Sequence, residues 1–118
     1  MGLTKTEAYT PAQNRLAELL RALAHPARLA IVQRLAAEGC CICRDFTDEL
    51  DLAQPTVSRH LRELHAAGLI AGTVEGTRRS YCLAPERWAE VRALAGELFG
   101  GALGAWLAPA TARDGDGC

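Results

Sequence analysis

The sequence predicts a mainly α-helical domain that carries one small β-hairpin, in the order α-α-α-α-β-β-α. Three observations predict it. Apolar residues recur at helical spacing through most of the chain. That period breaks once, at residues 69–83, where two short strand-like runs flank the turn Glu75-Gly76-Thr77. Finally, 118 residues with 49% apolar and 23% charged content are the size and balance of one folded domain rather than of a disordered or two-domain chain. Aromatics are only 5%, so the core must be aliphatic, and a small aliphatic core commonly gains burial by dimerising.

Each element has its own signal. Thr10, Pro11 and Gln13 supply a hydroxyl cap, a proline at the first helical position and an amide three residues after the cap. Leu16, Leu19, Leu20 and Leu23 then mark one face of a helix over about 11–23. His25-Pro26 interrupts it, since proline removes a backbone donor and biases the preceding residue away from helix. Leu29, Val32 and Leu35 carry a second helix over about 27–38, up to Gly39. Residues 45–50 and 55–67 form two further helical segments around a break at 51–54, with Leu50, Leu52, Val57, Leu61 and Leu64 at the buried positions. Pro55 suits the opening turn of the second of these, and Gly68 suits a left-handed cap at its end. The hairpin follows, and Trp88, Val91, Leu94, Leu98, Leu103 and Trp106 continue a long last helix over 85–107.

Glycines at 96, 100 and 104 fall every four residues on that last helix and cost roughly 1 kcal/mol each relative to alanine. Two explanations are open: a second helix packs closely on the glycine face, or the glycines break the helix near its end. The folded domain is expected over 11–107, between a flexible N-terminus over 1–10 and a disordered tail over 108–118 whose DGDGC ending is polar and Gly-rich. The elements together spell a winged helix-turn-helix flanked by two helices, which are expected to make a homodimer through the first and last helices.

Thirteen Lys and Arg against fourteen Asp and Glu exclude a protein that coats nucleic acid by bulk charge. The local balance differs: four arginines face two glutamates over 54–79, whereas residues 39–53 hold one arginine and four carboxylates. Positive charge therefore falls in two blocks, residues 1–38 and 54–79, on either side of an acidic stretch, and the second block holds the second helix of the helix-turn-helix and the hairpin. Thr56, Ser58, Arg59 and Arg62 are interleaved with Val57, Leu61 and Leu64, so hydroxyls and guanidinium groups face outward, where base edges and phosphates would lie. Gln54 stands at the start of the same helix, and Arg78 and Arg79 at the hairpin tip can reach the flanking backbone or minor groove. His60 lies beside the apolar stripe and is open to two roles, DNA contact or packing. His25 reads as structural and His65 as a partner of the helix dipole.

ALAHPARLAIVQRL at 22–35, DLAQPTVSRHLRELHAAGLI at 51–70 and the wing VEGTRRSYCLAP at 74–85 resemble the ArsR/SmtB family of bacterial metal-responsive repressors. The resemblance covers roughly residues 12–105 and implies a homodimer that binds double-stranded operator DNA. It gives Gln54, Thr56, Ser58, Arg59, Arg78 and Arg79 the roles read from the residues, with His60 and Arg62 as further DNA-contacting candidates.

Members of such a family share the scaffold and differ in the ligand that releases them. Here the ligand residues are thiols. Cys40, Cys41 and Cys43 are too close in sequence to staple loops as a disulfide framework, and they read better as thiolates with a bound ion. Arg44 and a helix start beside them favour the thiolate form, and soft sulfur selects thiophilic ions over magnesium, calcium or manganese. The arsenical-responsive members are similar through a Cys-x-Cys in the first helix of the helix-turn-helix, matched by Cys41-Ile42-Cys43. They often carry a third Cys three residues beyond it, where this chain has Phe46.

The resemblance therefore implies As(III) or Sb(III) as inducer, with Cys40 in place of the missing third ligand and Cys118 as another candidate. Cys82 reads as a packing residue of the hairpin. A thiol-redox or sulfide sensor is an alternative within the same fold, and cadmium or lead another. Zinc sensing on the last helix is disfavoured, because that helix contains no histidine. An enzyme is not expected, since all three histidines are accounted for by helices. DNA binding itself calls for no cofactor. No apolar run is long enough to span a bilayer and the first residues do not read as a leader, so a cytoplasmic protein is expected.

Overall fold

Thr10 begins the first helix by the reciprocal capping its sequence promised. Its Oγ1 accepts from the Gln13 amide at 3.0 Å and its own amide donates to Gln13 Oε1 at 3.0 Å. The computed structural model describes residues 8–38, 42–43, 46–75 and 78–109. Its elements are α1 (Pro11–Leu23), α2 (Pro26–Glu38), β1 (Ile42–Cys43), α3 (Thr47–Leu50), α4 (Gln54–Ala66), β2 (Ile70–Glu75), β3 (Arg78–Leu83), α5 (Pro85–Phe99) and α6 (Gly101–Trp106). Residues 1–7 and 110–118 lie outside the described residues, and so do Cys40, Cys41 and Cys118.

The core is the meeting point of the helical stripes and the hairpin base. Leu19 and Leu23 of α1, Ile31 and Leu35 of α2, Val57, Leu61 and Leu64 of α4, Leu69, Ile70 and Val91 form one buried cluster with Phe46. The Trp88 indole N–H donates to the Leu69 carbonyl at 2.9 Å and fixes α5 over the base of the hairpin. On the far side of α5, Glu90 accepts from Arg15 of α1 through two nitrogens, at 2.7 and 3.0 Å, and from Arg87 at 2.7 Å. These hydrogen bonds hold its carboxyl down to about 2.

Three features depart from the sequence reading. The segment expected to open a helix contains instead a short strand: Ile42 pairs with Tyr81 and Cys43 with Ser80, so the hairpin becomes a three-stranded antiparallel sheet in the order β1-β3-β2. The helix expected over 45–50 is accordingly a single turn. The last helix does not run unbroken to 107, because it ends at Phe99 and restarts at Gly101, whose φ of +55° favours glycine. Of the two explanations for the glycine series, the break is the one observed. A Cβ on Gly104 would lie 2.6 Å from the Phe99 carbonyl oxygen, so glycine there lets α6 fold back on the end of α5.

Candidate nucleic-acid interface and thiol segment

Helix α4 is positioned by its apolar stripe and by two turns. Val57, Leu61 and Leu64 are buried, which leaves the opposite face to solvent. Before it, Asp51 takes the left-handed conformation at φ 55° and sharpens the turn from α3. After it, Gly68 at φ +77° makes the cap expected of it, and a Cβ there would approach Arg87 Nε to 2.6 Å.

On the open face Gln54, Thr56, Arg59 and Arg62 are exposed and Ser58 is half-buried. The Gln54 amide donates to Ser58 Oγ at 3.0 Å, so two of the five are already oriented toward one another at the N-terminal end of the helix. Ser58, Arg62, His65 and Tyr81 line a surface groove of ≈ 520 Å³. Arg78 and Arg79 begin β3, at the tip of the hairpin.

His60 stands apart from this set. Its side is the buried one: it is 6% exposed, its Nδ1 accepts from Arg28 Nε at 3.0 Å, and its ring lies 4.3 Å from that of His25. Burial, then the neighbouring His25, Arg28 and Arg59, push its pKa below the usual 6.5, which keeps the ring neutral and able to accept. His25 Nδ1 in turn accepts from the Ala27 amide at 3.0 Å at the start of α2, in keeping with its structural reading. Arg28 also donates to the Ala22 carbonyl at 3.1 Å, and it was not singled out in the sequence. The signal for His60 was available, since position 60 lies three residues after Val57 and four before Leu64, on the buried stripe.

The thiol segment also departs from its expected geometry. Cys43 lies in β1, not on a helix. Phe46, at the position of the third cysteine in the arsenical-responsive pattern, is fully buried in the core. Cys82, expected to serve packing, is disulfide-bonded. Among the described residues no group of three His, Cys, Asp or Glu side chains could hold a metal ion; Cys40, Cys41 and Cys118 are not among them.

A helix-turn-helix whose second helix presents a polar face beside an arginine-tipped hairpin defines a winged DNA-binding protein. The pattern of a family described as a helix-turn-helix domain matches residues 23–73. An uncharacterised HTH-type transcriptional regulator of Methanocaldococcus jannaschii is 39% identical over 85 residues, 71% of this chain and 94% of the relative. The HTH-type transcriptional repressor SmtB of Mycobacterium tuberculosis is 43% identical over 74 residues, covering 63% of this chain and 54% of its own length. The arsenical resistance operon repressor of Escherichia coli is 39% identical over 69 residues, 58% of each chain.

Among solved structures, one described as a possible transcriptional regulator for arsenical resistance superposes with a TM-score of 0.66 at 28% identity, covering 77% of this chain and 94% of the other. The homodimeric winged helix-turn-helix domain of a possible ArsR-family regulator from Mycobacterium bovis gives a TM-score of 0.57 at 28% identity, covering 82% and 87%. The chain belongs to the ArsR/SmtB family of winged helix-turn-helix transcriptional regulators. It is a regulator and not an enzyme. Among the described residues no helix is long and apolar enough to cross a membrane.

Proposed function

We propose that this chain is a homodimeric repressor that binds operator DNA and leaves it when trivalent arsenic or antimony binds the thiols of Cys40, Cys41 and Cys43, with Cys118 a further candidate ligand. The observation that carries this reading is the placement of a Cys-x-Cys immediately ahead of the helix-turn-helix. The exposed Gln54, Thr56, Arg59 and Arg62 with half-buried Ser58 form the reading face, Arg78 and Arg79 reach the flanking DNA, and His60 acts beneath that face as a positioning residue. Guanidinium groups neutralise phosphates and read guanine edges, while short hydroxyls and the glutamine amide bond phosphates and adenine.

Dimerisation is supported by the exposure of Tyr9 (57%) just ahead of α1, of Phe99 (58%) at the end of α5 and of Trp106 (60%) at the end of α6, together with Leu20, Leu98 and Leu107. Large apolar side chains left in water on one domain commonly mark an interface. The Mycobacterium bovis structure is homodimeric, and the relatives include an arsenical resistance operon repressor.

Release requires that the ion bind the DNA-free conformer more tightly than the DNA-bound one, and a coupling of about 1–3 kcal/mol changes operator affinity about 5- to 150-fold. The test is operator binding by the reduced dimer on DNA from upstream of its own gene, with arsenite, antimonite, zinc, cadmium, lead and peroxide in parallel. Release by arsenite or antimonite at low concentration is expected. Binding that ignores every metalloid would overturn the inducer while leaving the repressor. The second reading, a thiol-redox repressor, is favoured by the bonded state of Cys82, and it requires release by peroxide without release by arsenite.

A further inference from the structure

Two surface grooves flank α4, and they differ in charge. The groove toward the turn between α1 and α2, ≈ 560 Å³, is bordered by the carboxylates of Glu18 and Glu63 as well as by Arg21 and Arg28. The groove toward the sheet, ≈ 520 Å³, is lined by Ser58, Leu61, Arg62, His65, Ala66 and Tyr81. Among the described residues no carboxylate borders this second groove, so it favours an anion where the first sets like charges against one.

The lining of the second groove is itself divided. Leu61, Ala66 and the Tyr81 ring supply apolar surface. Ser58, Arg62 and His65, spaced to lie along one side of α4, supply a hydroxyl, a guanidinium and an imidazole N–H, which donates in either tautomer. Tyr81 is half-buried and packs against the core. Its ring is seated by Gly72, the exposed residue directly opposite it on β2. A Cβ on Gly72 would lie 3.0 Å from Tyr81 Cδ1 and 3.1 Å from Cε1, so only bare backbone leaves room for the ring in this position.

We propose that this groove seats one sugar-phosphate strand of the operator, with Tyr81 and His65 as backbone contacts beside Ser58 and Arg62. The inference rests on the DNA-binding reading above and extends it from the reading helix to the sheet; it is independent of the thiols. Two observations select the occupant. Ser58 and Arg62 belong to both the reading face and the groove, and Gln54 donates to Ser58 at 3.0 Å, so a duplex lying on that face carries a strand into the groove. Each nucleotide step also presents an apolar deoxyribose edge and an anionic phosphate, which match an apolar floor with a rim of donors. Contacts of this kind fix register and orientation and carry no sequence information.

The test is the binding of two fluorescent duplexes of equal length, one from upstream of the chain's own gene and one unrelated, by the reduced full-length protein. Tyr81→Phe keeps the ring and removes only the hydroxyl. It should weaken both duplexes alike by about 2- to 12-fold, with the salt dependence unchanged. His65→Ala should also weaken both, whereas Arg62→Ala should lower the salt slope by about 1. Gly72→Val displaces the Tyr81 ring and should weaken both duplexes while the strand persists. In a scan that turns one operator phosphate at a time into a neutral methylphosphonate, one position that costs the wild type affinity should cost Tyr81→Phe less. Wild-type affinity of Tyr81→Phe and Gly72→Val for both duplexes, with superimposable scans, would overturn the proposal while the DNA-binding reading stands. A wild type that binds neither duplex would overturn both. Loss on the operator alone would make the groove a reader of bases, and a variant that sediments as a monomer where the wild type is a dimer would place a second copy of the chain there; either result overturns the backbone seat.

Discussion

Helix α4 and the thiol segment ahead of α3 are a few residues apart, yet they obey different rules. In α4 the local pattern decides the structure: the apolar stripe fixes which side is buried and proline opens the first turn. The residues left over are those that can meet DNA. In the thiol segment the deciding partner is remote. Ile42 and Cys43 are strand because Tyr81 and Ser80, almost forty residues away, offer a free edge of β3. The conformation of a short segment can thus be set by what it pairs with rather than by its own pattern.

The sharpest way to separate the two regions is at Phe46, the hinge between them. It is fully buried, so Phe46→Ala should cost about 3–5 kcal/mol of unfolding free energy, read from the urea midpoint. A small loss would mean that the thiol segment is not anchored to the core. Next in size, Arg59→Ala should weaken operator binding by about 1–3 kcal/mol at fixed salt while the dimer and its response to arsenite persist. Unchanged affinity in fluorescence anisotropy would remove Arg59 from the reading face.

His60 sharpens the comparison by pH. Its folded pKa lies below the ordinary 6.5, so just beneath that value the unfolded chain binds more protons than the folded one. Its contribution to stability is therefore complete above 6.5 and is lost as pH falls toward the folded pKa. In His60→Gln, whose amide oxygen can still accept from Arg28, thermal unfolding should depend less on pH between 7 and 5. An identical slope in both proteins would show that the buried ring does not titrate as described. The smallest effect is expected at Asp51, where the left-handed turn already holds a residue that tolerates it. Asp51→Gly should change stability by less than about 1 kcal/mol, since relief at φ 55° is offset by a looser unfolded chain, and operator affinity should not move.

Most of the fold was legible because its signals are local. Thr10 with Gln13, Pro26, Pro55, Gly68 and Pro85 mark helix ends by caps and fixed dihedrals that need no tertiary partner. What was not legible depends on contacts between distant residues. Strand β1 exists through its hydrogen bonds to β3, and two residues carry no period of their own. The helix break was open in the sequence as one of two uses for the glycines, and it is the near approach of Gly104 to the Phe99 carbonyl that distinguishes them. His60 is the instructive intermediate, since its stripe position pointed inward while its polarity and neighbours pointed to DNA. Arg28 and His25 resolve it by giving a buried imidazole its partners.

Under the proposed function the thiol segment and the reading helix are energetically coupled. The most direct test of that coupling is the operator affinity of the reduced dimer with and without saturating arsenite, measured for the wild type and for Cys43→Ser at one salt concentration. The expected result is an affinity lowered about 5- to 150-fold by arsenite in the wild type and the same with or without arsenite in the variant. Equal affinities in the wild type, or equal release of both proteins, would contradict it.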